Sequence, residues 1–437
     1  SLMRVLKDVQ LANRDWPLML EDLKSAMGEI CTNEGHWSAQ ALDEYKQFLN
    51  YLYDDNFTLL GAFEFNLCHK SPEPENAHGL MSSSREEPYF DFKDEGFPLW
   101  NNPGNQKQAP LIVTKLKKLA SVHRIVPLDA VSVIINGDDG EPEKELVFIG
   151  LFTSVTYSRS IQDVPYLRQK ADSVIKQSGF IPASHDYKAL RHILEKFPRD
   201  ELFQIDENSL AVMATSIMRL QQQPQITLFT RNNPYNNLFS CMVYFPREQF
   251  DTRLRLKVQK ILEDELRGKT RDFFTTMDDS LMARVMFILV TDKQIDESWD
   301  IDKIERKIRE ECRDWGERFT EACNEFFEDQ EFCSFVSRHY EDAFPVEYQE
   351  RIKPKHALYD VTKIEEAFVN KGGMSFDIYR ATGQSGKQLQ LKIYSVNSVI
   401  PLSDILPILE NMGLRVSGER PYEVKLRADK KPVWIHD

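Results

Sequence analysis

The chain has 437 residues, 41% hydrophobic and 28% charged, an ordinary soluble globular composition that predicts about two to four domains. A formal net charge of -14 argues against general phosphate binding, and so against a nucleic-acid partner, because that affinity rests on clustered Lys and Arg. Six cysteines (Cys31, Cys68, Cys241, Cys312, Cys323, Cys333) without CxxC spacing, and no apolar run of membrane-spanning length, predict a reducing cytoplasm, no disulfide framework, no metal site and no membrane partner.

Residues 3–38 read as a helical lead-in, with apolar positions at helical spacing from Val5 to Ile30 and a division at Pro17. Residues 39–160 read as an α+β module. An amphipathic helix over 39–55 carries Leu42, Tyr45, Phe48, Leu49 and Leu52 on one side, and strands are expected at 57–66, 111–114, 121–127, 130–136 and 146–153. Asn136-Gly137-Asp138-Asp139-Gly140 is a turn signal. The insert at 68–110 is rich in Pro, Ser, Asn and Glu; residues 70–88 are expected to be mobile, whereas Tyr89, Phe90, Phe92, Phe97 and Trp100 should dock. Residues 161–222 read as a helical connector broken near Gly179–Pro182 and Phe197-Pro198.

Two stretches share one element order, hairpin, helix, hairpin. The first, 223–295, has strands at 225–232 and 238–245, a helix at 252–266 and strands at 270–276 and 283–291. The second, 351–437, has strands at 375–381 and 389–395, a helix near 403–412 and extended chain at 414–426. Between them, 296–350 is acidic, with 18 acidic and 7 basic side chains. Ile301, Ile304, Ile308, Cys312, Trp315, Phe319, Cys323 and Phe326 recur three or four apart there, which predicts one long helix over 301–327 with a single buried stripe.

A nucleotide site needs glycines that let the backbone wrap phosphates, and neither GxGxxG nor GxxxxGK[ST] occurs. Gly137/Gly140 and Gly383/Gly386 suit hairpin turns instead. Ser184-His185-Asp186 is too close in sequence to build a triad and suits a helix cap. His123 sits on an expected strand, where a buried, satisfied imidazole or a ligand contact is favoured over a metal ligand. No catalytic, cofactor-binding or metal-ligating residue is therefore assigned.

The runs Ile400–Val416, Glu419–Val424 and Trp434–Asp437, with Phe197-Pro-Arg-Asp-Glu-Leu-Phe-Gln204, Ser121-Val-His-Arg124 and Gly150-Leu-Phe-Thr-Ser154 with Tyr157, resemble the segment ahead of the catalytic domain in the large, multidomain NAD-specific glutamate dehydrogenases. The resemblance spans roughly residues 39–437. It implies an α+β, multidomain chain: a PAS-like module at 39–160 and two ACT-like (ferredoxin-like) modules, joined by helical segments and leading into an absent catalytic domain. It further implies a regulatory and assembly role in amino-acid catabolism, with NAD used only by the parent enzyme, a homo-oligomer, and the same chain's catalytic domain as partner. Pro198 suits a helix N1 position with Asp200 and Glu201 in the first turn, and Arg199 is left for an effector or interdomain contact. ACT-like modules often bind small amino acids, which adds Asn232, Asn237, Ser395 and Ser398 as candidate contacts. The missing glycine-bearing turn favours degenerate structural copies. The competing reading is an independent amino-acid-sensing protein, and the reading frame beyond Asp437 discriminates the two.

Overall fold

The computed structural model describes residues 2–30, 37–69, 72–85, 87–101, 109–278, 280–291, 299–313, 315–379, 389–426 and 432–437. It divides into two compact units, Ser1–Arg309 and Glu310–Asp437.

In the first unit, helix α1 (Leu2–Arg14) gives way to α2 (Trp16–Glu29), which restarts with Pro17 in its first turn, where the missing N–H costs no helical bond. Helix α3 (Ala39–Tyr51) is capped by the Ser38 hydroxyl and buries the expected Leu42, Tyr45, Phe48 and Leu49. Strands β1 (Phe57–Asn66), β2 (Pro74–Gly79), β3 (Leu111–Leu119), β4 (Pro127–Asn136) and β5 (Pro142–Phe152) form an antiparallel sheet in the order β2-β1-β5-β4-β3. Its two faces feed two apolar clusters, one under α2 and α3 and one under the insert.

The insert and the loop after β3 each correct an expectation. Much of the stretch expected to be mobile is ordered: β2 pairs with β1, Leu80 and Met81 are buried, and Arg85 is ion-paired with the buried Asp8 of α1. A Pro- and Ser-rich composition conceals strand pairing because the partner lies elsewhere in the chain. The aromatic half docks as expected, with the Phe63 ring edge-on to Phe92 and Phe97 at 5.0 and 5.3 Å. The expected strand at 121–127 is instead a loop between β3 and β4, and His123 is exposed with φ +74° rather than buried in a sheet. The Ala120 N–H donates to the Val126 carbonyl, closing the hairpin and turning the intervening residues out of the ladder.

Glu145 of β5 fastens the insert to the sheet. Its buried carboxylate accepts the Leu99 and Trp100 N–H groups at 3.0 and 3.1 Å and the Ser132 hydroxyl at 2.8 Å. Burial pushes its pKa from 4.5 up to about 7. The folded state therefore keeps a proton that the unfolded chain has released. The resulting stabilisation is complete below pH 4.5 and is lost as pH rises through about 7. Urea denaturation should show wild type losing stability between about pH 5 and pH 8, and Glu145→Gln losing distinctly less. Equal slopes would show that Glu145 does not titrate in this window.

Helices α4 (Ser154–Ser158), α5 (Leu167–Ser178), α6 (His185–Lys196), α7 (Arg199–Gln204) and α8 (Glu207–Gln222) follow. Gly179 ends α5 at φ +67°, a backbone conformation open to glycine, and Ser184 caps α6 as read from the sequence. Next come β6 (Thr227–Asn232), β7 (Leu238–Pro246), α9 (Thr252–Glu265), β8 (Gly268–Met277), β9 (Met282–Thr291) and α10 (Ile301–Cys312), with sheet order β6-β7-β9-β8. Helix α10 closes the β6 edge through side chains: the Glu305 carboxylate accepts the Leu228 N–H at 2.8 Å, and Arg309 donates to the Ile226 carbonyl at 2.7 Å.

The second unit contains α11 (Trp315–Phe326), α12 (Gln330–Tyr340), α13 (Val346–Gln349), α14 (Pro354–Val369), β10 (Met374–Tyr379), β11 (Gln390–Val396), α15 (Leu402–Asn411), β12 (Pro421–Val424) and β13 (Val433–His436). Its sheet runs β10-β11-β13-β12, the neighbour pattern of the first copy. With α8 or α14 ahead of it, each copy is a helix-strand-strand repeat, which is the split βαβ sheet entered one strand late. The Gly383/Gly386 turn lies outside the described residues.

The single long helix expected over 301–327 is two helices, α10 and α11. Ile304 and Ile308 are buried in the first unit, while Trp315, Phe319 and Cys323 enter the core of the second. Period-3.6 spacing reports a buried face and says nothing of which core each turn faces.

Candidate functional site

Helix α7 is six residues long, too short to hold itself, and its neighbours hold it. Phe203 stacks on Phe152 of β5 with centroids 4.3 Å apart. The buried Lys170 ammonium of α5 donates to the carbonyls of Leu202, Phe203 and Ile205 at 2.7, 3.3 and 2.8 Å, filling acceptors that the helix end leaves open. Burial pulls the Lys170 pKa down to about 7. Pro198 stands at the cap position, one place earlier than the N1 site its sequence context suggests.

Held in this way, α7 forms one wall of a cavity of about 340 Å³ within the first unit. The other walls are β3, β4 and the end of β5 on one side, and β6, β7, β8 and β9 on the other. The edge of β3 is finished by side chains. Glu95 accepts the Lys117 and Lys118 N–H groups at 2.7 and 2.8 Å, Gln204 accepts the Lys115 N–H at 3.3 Å, and Asn233 and Asn236 donate to the Lys115 carbonyl. Gly96 makes this junction possible: a Cβ there would sit 1.9 Å from the Tyr235 carbonyl oxygen.

Charged groups of both signs line the cavity. Lys115 and Asp129 occupy facing positions on β3 and β4, and the ammonium lies 2.8 Å from Asp129 and 3.3 Å from Asp200 of α7. Tyr157 donates to Asp200 at 2.8 Å. Burial pulls the Lys115 pKa down, but the two carboxylates more than offset this and hold it above its usual range. One cation does not serve the buried Asp129 and the half-buried Asp200 fully, and burial pushes Asp129 up to about 6. Burial and the Asp200 charge likewise push the Tyr157 hydroxyl pKa up, so it acts as a donor. Arg231 of β6 makes a two-point pair with the buried Glu201 at 2.6 and 3.0 Å.

Of the residues expected at an effector contact, Arg199 lines the cavity, but its guanidinium is committed to the α6–α7 corner. It donates to the carbonyls of Glu195 and Arg159 and pairs with the Glu195 carboxylate at 2.9 Å. Asn232 is exposed and Asn237 half-buried, and both lie outside the cavity lining, where Asn233 stands instead. Ser395 is buried in β11, whereas Ser398 is exposed beyond it. The reading of the chain missed Lys115, Asp129, Arg231 and Arg284. The legible signal was Asp129, a charge inside the apolar run of β4. The motifs Ser121–Arg124, Gly150–Ser154 with Tyr157, and Phe197–Gln204 converge here: Arg124, Leu151, Tyr157, Asp200 and Gln204 all line the cavity.

The lining does not fit NAD. It contains no glycine to let a backbone wrap a pyrophosphate, and its volume suits a small metabolite. No group of His, Cys, Asp and Glu able to hold a metal ion occurs among the described residues. Among the same residues no helix is long and apolar enough to cross a membrane.

Comparison with known proteins agrees along the chain. Residues 164–223 match glutamate dehydrogenase helical motif 1, 227–316 its ACT2 domain, 336–367 its helical motif 2 and 373–437 its ACT3 domain. The whole chain is 33% identical to an NAD-specific glutamate dehydrogenase of Halomonas elongata and 30% identical to that of Pseudomonas aeruginosa, covering 27% of each. It is 25% identical to the Mycobacterium tuberculosis protein of the same name, covering 26% of it. The chain thus spans about a quarter of the length of these relatives. The two like-ordered sheets fall in the ACT2 and ACT3 matches and the helices α5 to α8 in helical motif 1, so this α+β, multidomain chain belongs to the large NAD-specific glutamate dehydrogenase family, as part of its N-terminal segment.

Proposed function

We propose that the chain is the non-catalytic regulatory and assembly segment of an NAD-specific glutamate dehydrogenase. The whole protein would convert L-glutamate, NAD and water into 2-oxoglutarate, ammonia and NADH on a catalytic domain of the same polypeptide. One observation carries the reading: three motifs that mark the family, far apart in sequence, line a single cavity that does not fit NAD. A site of that kind suits a signal better than the hydride chemistry.

The proposed modules are a lead-in (3–38), a PAS-like module (39–160), a connector (161–222), an ACT-like module (223–295), an acidic helical segment (296–350) and a second ACT-like module (351–437). The antiparallel order β2-β1-β5-β4-β3 supports the PAS-like assignment. Edge strands with exposed apolar side chains, Phe273 and Phe274 on β8 and Phe376 and Ile378 on β10, support a homo-oligomer. The free cysteines Cys68, Cys241, Cys312, Cys323 and Cys333 suit a reducing cytoplasm.

A spectrophotometric NADH assay tests the division of labour. The isolated chain should give no glutamate-dependent NADH, and a polypeptide of the relatives' full length should give it readily. Turnover by the isolated chain would overturn the non-catalytic role. A full-length protein that sediments as a monomer would overturn the assembly role.

A further inference from the structure

The two sheets of like order differ in what covers them. In the first, α9, the helix between the second and third strands, buries Val258, Ile261 and Leu262, and its Glu263 accepts the Thr270 N–H of β8 at 3.0 Å. Its counterpart in the second is α15, and α15 buries none of its side chains. The edge strand β12 is covered from another part of the second unit. Tyr422 meets Tyr348 edge-on at 5.3 Å, Tyr348 stacks on Phe344 at 4.6 Å, and the Lys425 N–H donates to the Ala343 carbonyl at 2.9 Å. Residues 343–348 thus give β12 the cover that α9 gives β8, and among the described residues no element buries the apolar face of α15.

The sequence of α15 is nevertheless that of a covered helix. Leu402, Ile405, Leu406 and Leu409 recur at helical spacing on one face, Ile408 and Met412 continue it along one flank, and Asp404 and Glu410 lie away from it. Seven of the fourteen residues of α9 are charged, against two of the ten in α15, so water gains little by solvating α15. Yet Ile408 is 60% exposed and Met412 68%, while Ile405, Leu406 and Leu409 are only half-buried. A contiguous apolar face of this kind marks a contact.

We infer that α15 is the docking surface for the polypeptide that follows Asp437 in the full-length protein, which lays an apolar face of its own over Leu402, Ile408 and Met412. The inference rests on the reading above, that this segment serves a catalytic domain of the same chain, and it gives their contact a place. The chain is part of an N-terminal segment and spans about a quarter of its relatives, so most of the remaining length follows it. It also leaves beside α15. Asp437 exchanges two backbone hydrogen bonds with Arg420 at 2.8 and 3.0 Å. The adjoining His436 holds the entry to α15: its Nε2 accepts the Ile400 N–H at 3.3 Å, and its Nδ1 lies 2.7 Å from Glu419. A segment tethered at that point meets α15 at high effective concentration, so a modest apolar contact is enough to hold it. With two charged residues, α15 has little to steer a separate partner.

Hydrogen exchange read by mass spectrometry, on the 437-residue chain and on the full-length protein, tests the docking. An uncovered helix of ten residues opens readily by itself, so the amides of residues 402–414 should exchange about tenfold or more slowly in the full-length protein. Equal rates overturn the inference. So does protection that appears in the 437-residue chain as its concentration rises, which makes a second copy the occupant. A photo-reactive residue in place of Ile408 should capture a peptide from beyond residue 437, and failure to do so overturns it as well. Ile408→Ser with Met412→Ser should leave the 437-residue chain melting within about a degree of wild type, since both side chains are exposed there. In the full-length protein the same pair should return residues 402–414 to the exchange rate of the 437-residue chain. Slow exchange in β7 and β9 shows that the variant has folded, and Met412→Ser alone replaces it if it has not. Protection retained in a folded variant overturns the inference. Glutamate-dependent NADH formation by the full-length protein is measured separately. Equal exchange with intact turnover removes this surface alone, and protection with absent turnover removes only the parent reaction.

Discussion

Asp360→Ala should unfold the second unit's core more readily by about 3–5 kcal/mol, the cost of breaking a buried ion pair from one side. Asp360 of α14 accepts the Lys392 ammonium at 2.9 and 2.7 Å, the Tyr394 hydroxyl at 2.6 Å and the Tyr348 hydroxyl. All four side chains are buried, so each donor that loses the carboxylate loses its solvent substitute as well. Burial, together with the Asp360 charge, holds both tyrosine hydroxyls protonated, consistent with their role as donors. Hydrogen exchange across α14 and β11 under increasing urea measures the effect. Replacing Asp360 and Lys392 together by leucine and methionine should recover only part of the loss, because no charge is then left alone but the buried Tyr348 and Tyr394 hydroxyls still lack their acceptor. A loss below about 1 kcal/mol for Asp360→Ala would mean that the network is solvated and the burial is misassigned.

Phe203→Ala should cost the first unit about 3–5 kcal/mol, the range for truncating a buried phenylalanine. The ring lies flat on Phe152, with Phe48 of α3 5.9 Å away, and joins α7 to both the sheet and the first helical layer. Lost stacking is the smaller part of the expected effect; the void is the larger. Thermal unfolding should shift down by several degrees, and Phe203→Leu by much less. A variant that melts with wild type would place the ring at the surface and remove the support from Asp200 and Glu201. The two substitutions report on different units, so their effects should add.

Periodic segments were legible wherever one local face meets one core. The stripe Leu42, Tyr45, Phe48 and Leu49 is buried on α3, and Ser184 caps α6, because both facts follow from residues three or four apart. The repeated hairpin-helix-hairpin order was legible for the same reason: alternation and turn residues are local. The insert was not. β2 is a strand only because β1 offers it a ladder, and Arg85 is fixed only because Asp8 lies beside it. The candidate site was half legible. Its motifs stood out in the chain, but Lys115, Arg231 and Arg284 read as ordinary charges on strands.

What the amino-acid order determined by itself was the family, the α+β class, the repeated module and the lack of phosphate-wrapping glycines, since each is a matter of short-range pattern. Tertiary structure alone decided that the stripe from Ile301 to Phe326 serves two cores, and that Asp129 and Asp200 share one lysine. It also decided that Arg124 and Arg284 donate to the carbonyls of Phe152 and Lys196. Hydrophobic periodicity is set within a few residues, whereas the balance of charge in a cavity depends on groups brought together from strands and helices more than a hundred and fifty residues apart.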